Sequence, residues 1–150
     1  MISFATHALV SNEIKNVYEP ALVLTPVDEL NKSNDGLLTA SEVSKLDLDA
    51  DIVVLSACNT ASSINSSSGE GLTGLANSFF EAGAKSLFVS YWSVISDAAK
   101  EITTNIFSQK NNSRSFAHKH RESVIKLLNS SDLLKSNPKY WAPFSVIGVN

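Results

Sequence analysis

Two residues of this chain have the types and the spacing that nucleophilic catalysis needs: His7 in ISFATHA and Cys58 in DADIVVLSACNT, 51 residues apart. A free thiol has a pKa near ~8.5, and it is the thiolate that attacks a carbonyl carbon; an adjacent imidazole can withdraw the proton or stabilise the anion. Each residue follows an apolar, β-prone run, and in parallel sheets the reacting groups lie just beyond the carboxyl ends of the strands. The backbone amides of Cys58 and of Ala8, the residue after the histidine, are natural donors to an oxyanion. A plainer reading stands beside this one. Free cysteine is among the most buried residue types, so Cys58 can equally be a small hydrophobe ending a buried strand, and His7 a hydrogen-bonded strand-end histidine.

The elements that must position these residues are readable from hydrophobic pattern. ISFAT is a short strand, and ALVLTP (21–26) a second, stopped by Pro26. The text between them, from Ala8 to Glu19, is polar, and NKSNDG (31–36) reads as a turn. Thr39 and Glu42 have capping-box spacing, which predicts a helix over Ala40 to Leu46. DIVVLSA is a continuous apolar run, the pattern of a strand buried on both faces. NTASSINSSSGEG then reads as an active-site loop. Leu72, Leu75, Ala76, Phe79 and Phe80 form a helical stripe, with Gly83 at its C-cap. A strand over Ser86 to Tyr91 follows. Ser96 and Asp97 are candidate caps for a helix burying Ala98, Ile102 and Ile106; Phe116, His120, Val124, Leu127 and Leu128 mark another. Asn137 and Pro138 end the helical text, and PFSVIGV is a last strand. Strands alternating with helices predict an α/β sandwich with a mainly parallel sheet.

Composition narrows the function classes. A chain of 150 residues, 43% apolar, suits one soluble domain (1–150). With a net charge of −3 and scattered basic residues, no footprint for nucleic acid or an anionic membrane is expected. One cysteine allows neither an internal disulfide nor a structural zinc site, and the N-terminus lacks a signal-peptide pattern; a cytoplasmic, reducing location is expected. His118 and His120, two apart on a helix, do not face each other as a metal pair would. GEGLTG (69–74) formally matches a dinucleotide fingerprint, but it does not directly follow a strand. A glycine-bearing loop hemming the cysteine is the preferred reading.

FATHA, DGLLTASEV, ADIVVLSACNT, GEGLTGLANSFFEAGA, SYWSV and KYWAPFSVIG occur in the order and approximate spacing of the CHAT peptidases. The chain resembles this family, the caspase-like domain commonly attached to tetratricopeptide repeats and similar to separases. The histidine-to-cysteine interval is also close to the roughly 50 residues found in caspases. The resemblance implies a caspase-type three-layer sandwich in which His7 is the base and Cys58 the nucleophile of a cysteine endopeptidase acting through a thioester. It implies no metal or organic cofactor, a protein or peptide substrate, and a tetratricopeptide-repeat region or regulatory protein as partner. By the same resemblance Ser56 and the segment from Ser90 to Asp97, including Trp92, line the substrate pocket. That segment has no arginine to favour substrate aspartate, whereas Asp97 or Glu101 could favour arginine, as in separases; both could also be helix-start charges. Three departures are visible. Ala8 stands where the family reads glycine, Ile95 looks like an added residue, and the histidine strand comes first, so N-terminal strands of the full domain are expected to be missing. A catalytically silent caspase-like module for protein interaction is the alternative reading.

Overall fold

In the computed structural model, residues 1–25, 35–56, 70–92, 94–108 and 114–148 are described, with 70–73 as helix backbone. The apolar run after Asp51 becomes β5 (Val53–Leu55), buried at every residue. It lies between β1 (Ile2–Phe4) and β6 (Ser86–Ser90), parallel to both, and β7 (Phe144–Gly148) pairs antiparallel to β6 on the far side. The main sheet is therefore mixed and mostly parallel, and β1 is one of its edges.

Because side chains alternate across a strand, the run IVVL supplies both faces of this sheet. Val53 and Leu55 join Phe4, Leu87, Val89, Leu75 and Phe79 in one core. Ile52 and Val54 join Phe88, Ile102, Ile106 and Leu127 in the other. The first core is covered by α1 (Ala40–Val43) and α2 (Glu70–Glu81), the second by α3 (Ser96–Phe107) and α4 (Phe116–Leu128). Helices on both faces of one sheet make the predicted three-layer α/β sandwich.

A second, antiparallel sheet was not anticipated. β2 (Ala8–Leu9), β3 (Ala21–Val23) and β4 (Leu37–Thr39) pair in that order, and Ala8 and Leu22 enter the first core. The segment from Ala8 to Glu19, read as polar, thus begins with a strand, and its loop is tied down where both Glu19 carboxylate oxygens accept from Ser41, at the start of α1.

Local signals explain the helix ends. The Thr39 amide donates to Glu42 Oε2 at 2.9 Å, one half of the predicted capping box. Helix α1 stops at Val43, and Lys45 and Leu46 continue it only as tighter turns to the Glu42 and Val43 carbonyls. At the end of α2, Gly83 donates to the Phe80 carbonyl and Ala84 to that of Phe79, a Schellman pair around a glycine at φ +101°. Three expectations are corrected. The cap of α3 is Ile95, with Ser96 and Asp97 already inside the helix and no side-chain cap bond. Asn137 and Pro138 start a helix rather than end one: Asn137 Oδ1 accepts from the Lys139 amide and Pro138 occupies the first position of α6 (Pro138–Trp141), which follows α5 (Leu133–Ser136). The reason is that proline lacks only an N–H that a first turn leaves unused. The buried face of α4 is rotated, with Lys119, Ser123 and Leu127 inward and Leu128 46% exposed. Lys119 reaches this position by laying its stem inward, its ammonium 5.4 Å from the Phe116 ring centroid. Among the described residues no helix is long and apolar enough to cross a membrane.

Candidate active site

The carboxyl ends of β1, β5 and β6 point the same way, so whatever follows Phe4, Leu55 and Ser90 gathers at one rim of the sheet. Phe4 and Leu55 are register partners, and His7 and Cys58 each come three residues later. The two rims are stitched directly: the Ser56 amide donates to the Phe4 carbonyl at 3.2 Å. Cys58 itself lies outside the described residues, as does the serine-rich stretch after it up to Gly69, which the sequence reads as an active-site loop.

His7 occupies the short link between the two sheets. Its carbonyl accepts from the Val23 amide at 2.8 Å, and the neighbouring Thr6 hydroxyl donates to the Val23 carbonyl. Its backbone is thereby fixed while its side chain remains exposed. The same bond settles the orientation of the next amide. His7 and Val23 form a hydrogen-bonded pair, so Ala8 and Leu22 form the alternate, non-bonded pair. The Ala8 N–H therefore points away from β3, off the edge of β2 that is unpaired among the described residues. Its methyl group packs in the core, 5% exposed, and Ala8 is not among the residues of positive φ. Alanine where the resembling family reads glycine is accommodated here without backbone strain.

His7 and Ser56 line one cavity of about 540 Å³, together with Thr6 and, across from them, Val94, Ser96 and Lys100. The other pocket candidates fall elsewhere. Asp97 and Glu101 line a neighbouring cavity of about 560 Å³ with Asp132, Lys135 and Tyr140, and Lys100 lines both cavities. Glu101 is committed there: Lys135 Nζ lies 2.9 Å from its carboxylate and the Tyr140 hydroxyl donates to it at 3.1 Å. The hydrogen bond from Lys135 holds the Glu101 carboxyl below its ordinary pKa, and burial with that carboxylate beside it pushes the Tyr140 phenol up. Trp92 is 46% exposed and lines neither cavity.

Sequence reasoning missed Lys100. It sits on the flank of α3, beside the buried stripe of Ala98, Ile102 and Ile106, where a lysine reads as an ordinary solvated charge. Its register relative to that stripe was the available signal. His118 and His120 separate as expected. His118 is exposed and pairs with Glu122, whereas the His120 ring packs edge-on to Phe88 with centroids 5.5 Å apart.

A mostly parallel sheet flanked by helices, with the histidine at the end of one strand and the cysteine of the sequence just past its neighbour, defines a caspase-like α/β sandwich. The chain belongs to the CHAT domain family, whose model matches residues 1–149. That family is related to the caspase-like cysteine peptidases. No curated protein matches the chain.

Proposed function

We propose that this chain is a cysteine endopeptidase in which His7 and Cys58 form the catalytic dyad. One observation carries the reading: β1 and β5 are parallel neighbours in a register that sets both residues three positions beyond partnered strand ends, with His7 lining an open cavity. Family membership supports the same chemistry.

In this reading His7 takes the Cys58 thiol proton as Sγ bonds to the peptide carbonyl carbon, and the displaced electron pair moves onto the oxygen. The amides of Cys58 and Ala8 donate to that oxyanion. When the intermediate collapses, the C–N bond breaks and His7 returns its proton to the leaving amine. Water, deprotonated by His7, then attacks the thioester carbon; the C–S bond breaks, the thiol is restored and the carboxyl product leaves.

The test is labelling with a peptide acyloxymethyl ketone, which needs an activated thiolate. Cys58 is expected to be modified by wild-type protein, and His7→Ala to lose at least about a hundredfold in rate, the scale of a general base. Labelling indifferent to His7 would mean a merely accessible thiol. An absence of labelling by every peptide probe would leave the catalytically silent interaction module as the better reading.

A further inference from the structure

The geometry points to a substrate class: the cavity beside His7 takes an acidic side chain of the peptide, and Lys100 selects it. This rests on the peptidase reading above. In the dyad reading the residue whose carbonyl meets Cys58 also lies against His7, and among the described residues the cavity His7 shares with Ser56 offers a concave space for its side chain.

The charges lining that space are one-sided. Lys100 brings an ammonium group, and among the described residues no aspartate or glutamate lines the cavity. Lys100 has no ion-pair partner among the described residues, so its ammonium is available to a ligand. The hydroxyl-bearing residues Ser96 and Thr103 line the cavity as well and can supply further donors to a carboxylate.

The nearest carboxylates do not cancel this. Lys100 also lines the adjoining cavity with Asp97 and Glu101, but it forms no ion pair with either among the described residues, and Glu101 is already held by Lys135 and Tyr140. An incoming arginine or lysine side chain would meet Lys100 as a like charge, with no acidic partner among the described residues of the lining. A separase-like preference for arginine, which the sequence leaves open through Asp97 or Glu101, is therefore the opposite of what this cavity favours. An aspartate or glutamate side chain gains an ion pair with Lys100, whereas its amide counterpart offers that ammonium only a neutral acceptor.

The experiment uses the full chain and peptide acyloxymethyl ketones that differ only in the residue next to the reactive group: Asp, Glu, Asn, Leu or Arg. Cys58 modification is followed by mass spectrometry. In parallel, binding of the corresponding unreactive peptide amides is measured by calorimetry. The Asp or Glu probe is expected to react about tenfold faster than the Asn probe. Lys100→Arg should keep that order, Lys100→Met should bring Asp and Asn level, and Lys100→Glu should turn the preference towards Arg. Labelling that depends on His7 but ranks Asp with Asn, or an order unmoved by Lys100→Glu, overturns the pocket assignment and leaves the peptidase reading standing. If no probe labels, the peptidase reading falls and the binding arm decides the pocket. Tighter binding of the acidic amide that disappears with Lys100→Glu upholds it, and binding indifferent to Lys100 refutes it.

Discussion

Replacing Gly83 by alanine is expected to destabilise the protein by about 2–3 kcal/mol. Gly83 follows α2 at φ +101°, where an L-residue costs roughly 1–2 kcal/mol. A methyl group there would overlap the backbone carbonyl oxygen of Leu48, and backbone cannot yield as a flexible side chain can. Making room means moving Leu48, whose amide donates to the Ala82 carbonyl at 2.6 Å. Losing that bond removes about 1 kcal/mol more. For a chain of this length each kcal/mol moves the melting temperature by roughly 2–4 °C, so a fall of about 4–12 °C is expected. Gly74→Ala is the internal control: it lies within α2, and its new methyl would sit 3.5 Å from Pro20 Cγ, an ordinary contact. Higher helix propensity should stabilise that variant by up to about 1 kcal/mol. Urea and thermal unfolding followed by circular dichroism measure both. A Gly83→Ala protein within about 0.5 kcal/mol of wild type, or a Gly74→Ala protein destabilised as much, would refute the role given to the helix end.

Two further predictions concern pH. Burial holds the His120 imidazole below its ordinary pKa, and its Nε2 has no hydrogen-bond partner among the described residues. The unfolded chain therefore binds the extra proton first, so stability is full above about pH 6.5 and falls as pH drops through that value towards the folded pKa. Urea midpoints across this range should show the decline, and His120→Leu should flatten it; an unchanged slope would mean that another group is responsible. Glu101 has the familiar carboxylate sign: with its pKa lowered by the Lys135 hydrogen bond, its contribution is present above the unfolded value and lost as pH falls through the folded one. Glu101→Gln should cost about 1 kcal/mol or less at pH 7, because the pair is partly exposed, and the difference from wild type should vanish in acid.

The main sheet was legible in the sequence because its central strands, β5 and β6, bury both faces and read as nearly unbroken apolar runs, and its edge strands lie in short β-prone ones. ISFAT, DIVVLSA and Ser86 to Tyr91 contain the three parallel strands, and PFSVIGV the antiparallel edge. The small sheet was not legible as a sheet. Ala8–Leu9 is two residues long, and its identity as a strand comes from pairing with a partner beyond a turn in which Asn12 and Asn16 take positive φ. No local pattern encodes that. In the α4 stripe, amphipathic counting favoured Leu128 over Lys119, because a lysine that buries its stem is invisible to a hydrophobicity pattern. The candidate site divides the same way. His7 and Ser56 were legible from strand-end position, whereas Lys100 emerged only once α3 was seen lying across the rim from them.

The three-residue link from Phe4 to Ala8 makes the histidine common to two sheets. Ser56 takes its backbone bond from β1 in the large sheet, whereas His7 gives its carbonyl to β3 in the small one. The two sheets share one core, with Leu22 and Ala8 on one side and Phe4 and Leu55 on the other. The aim of the imidazole is consequently a property of sheet-on-sheet packing, and the fold reads out at His7 any shift in how the small sheet beds down.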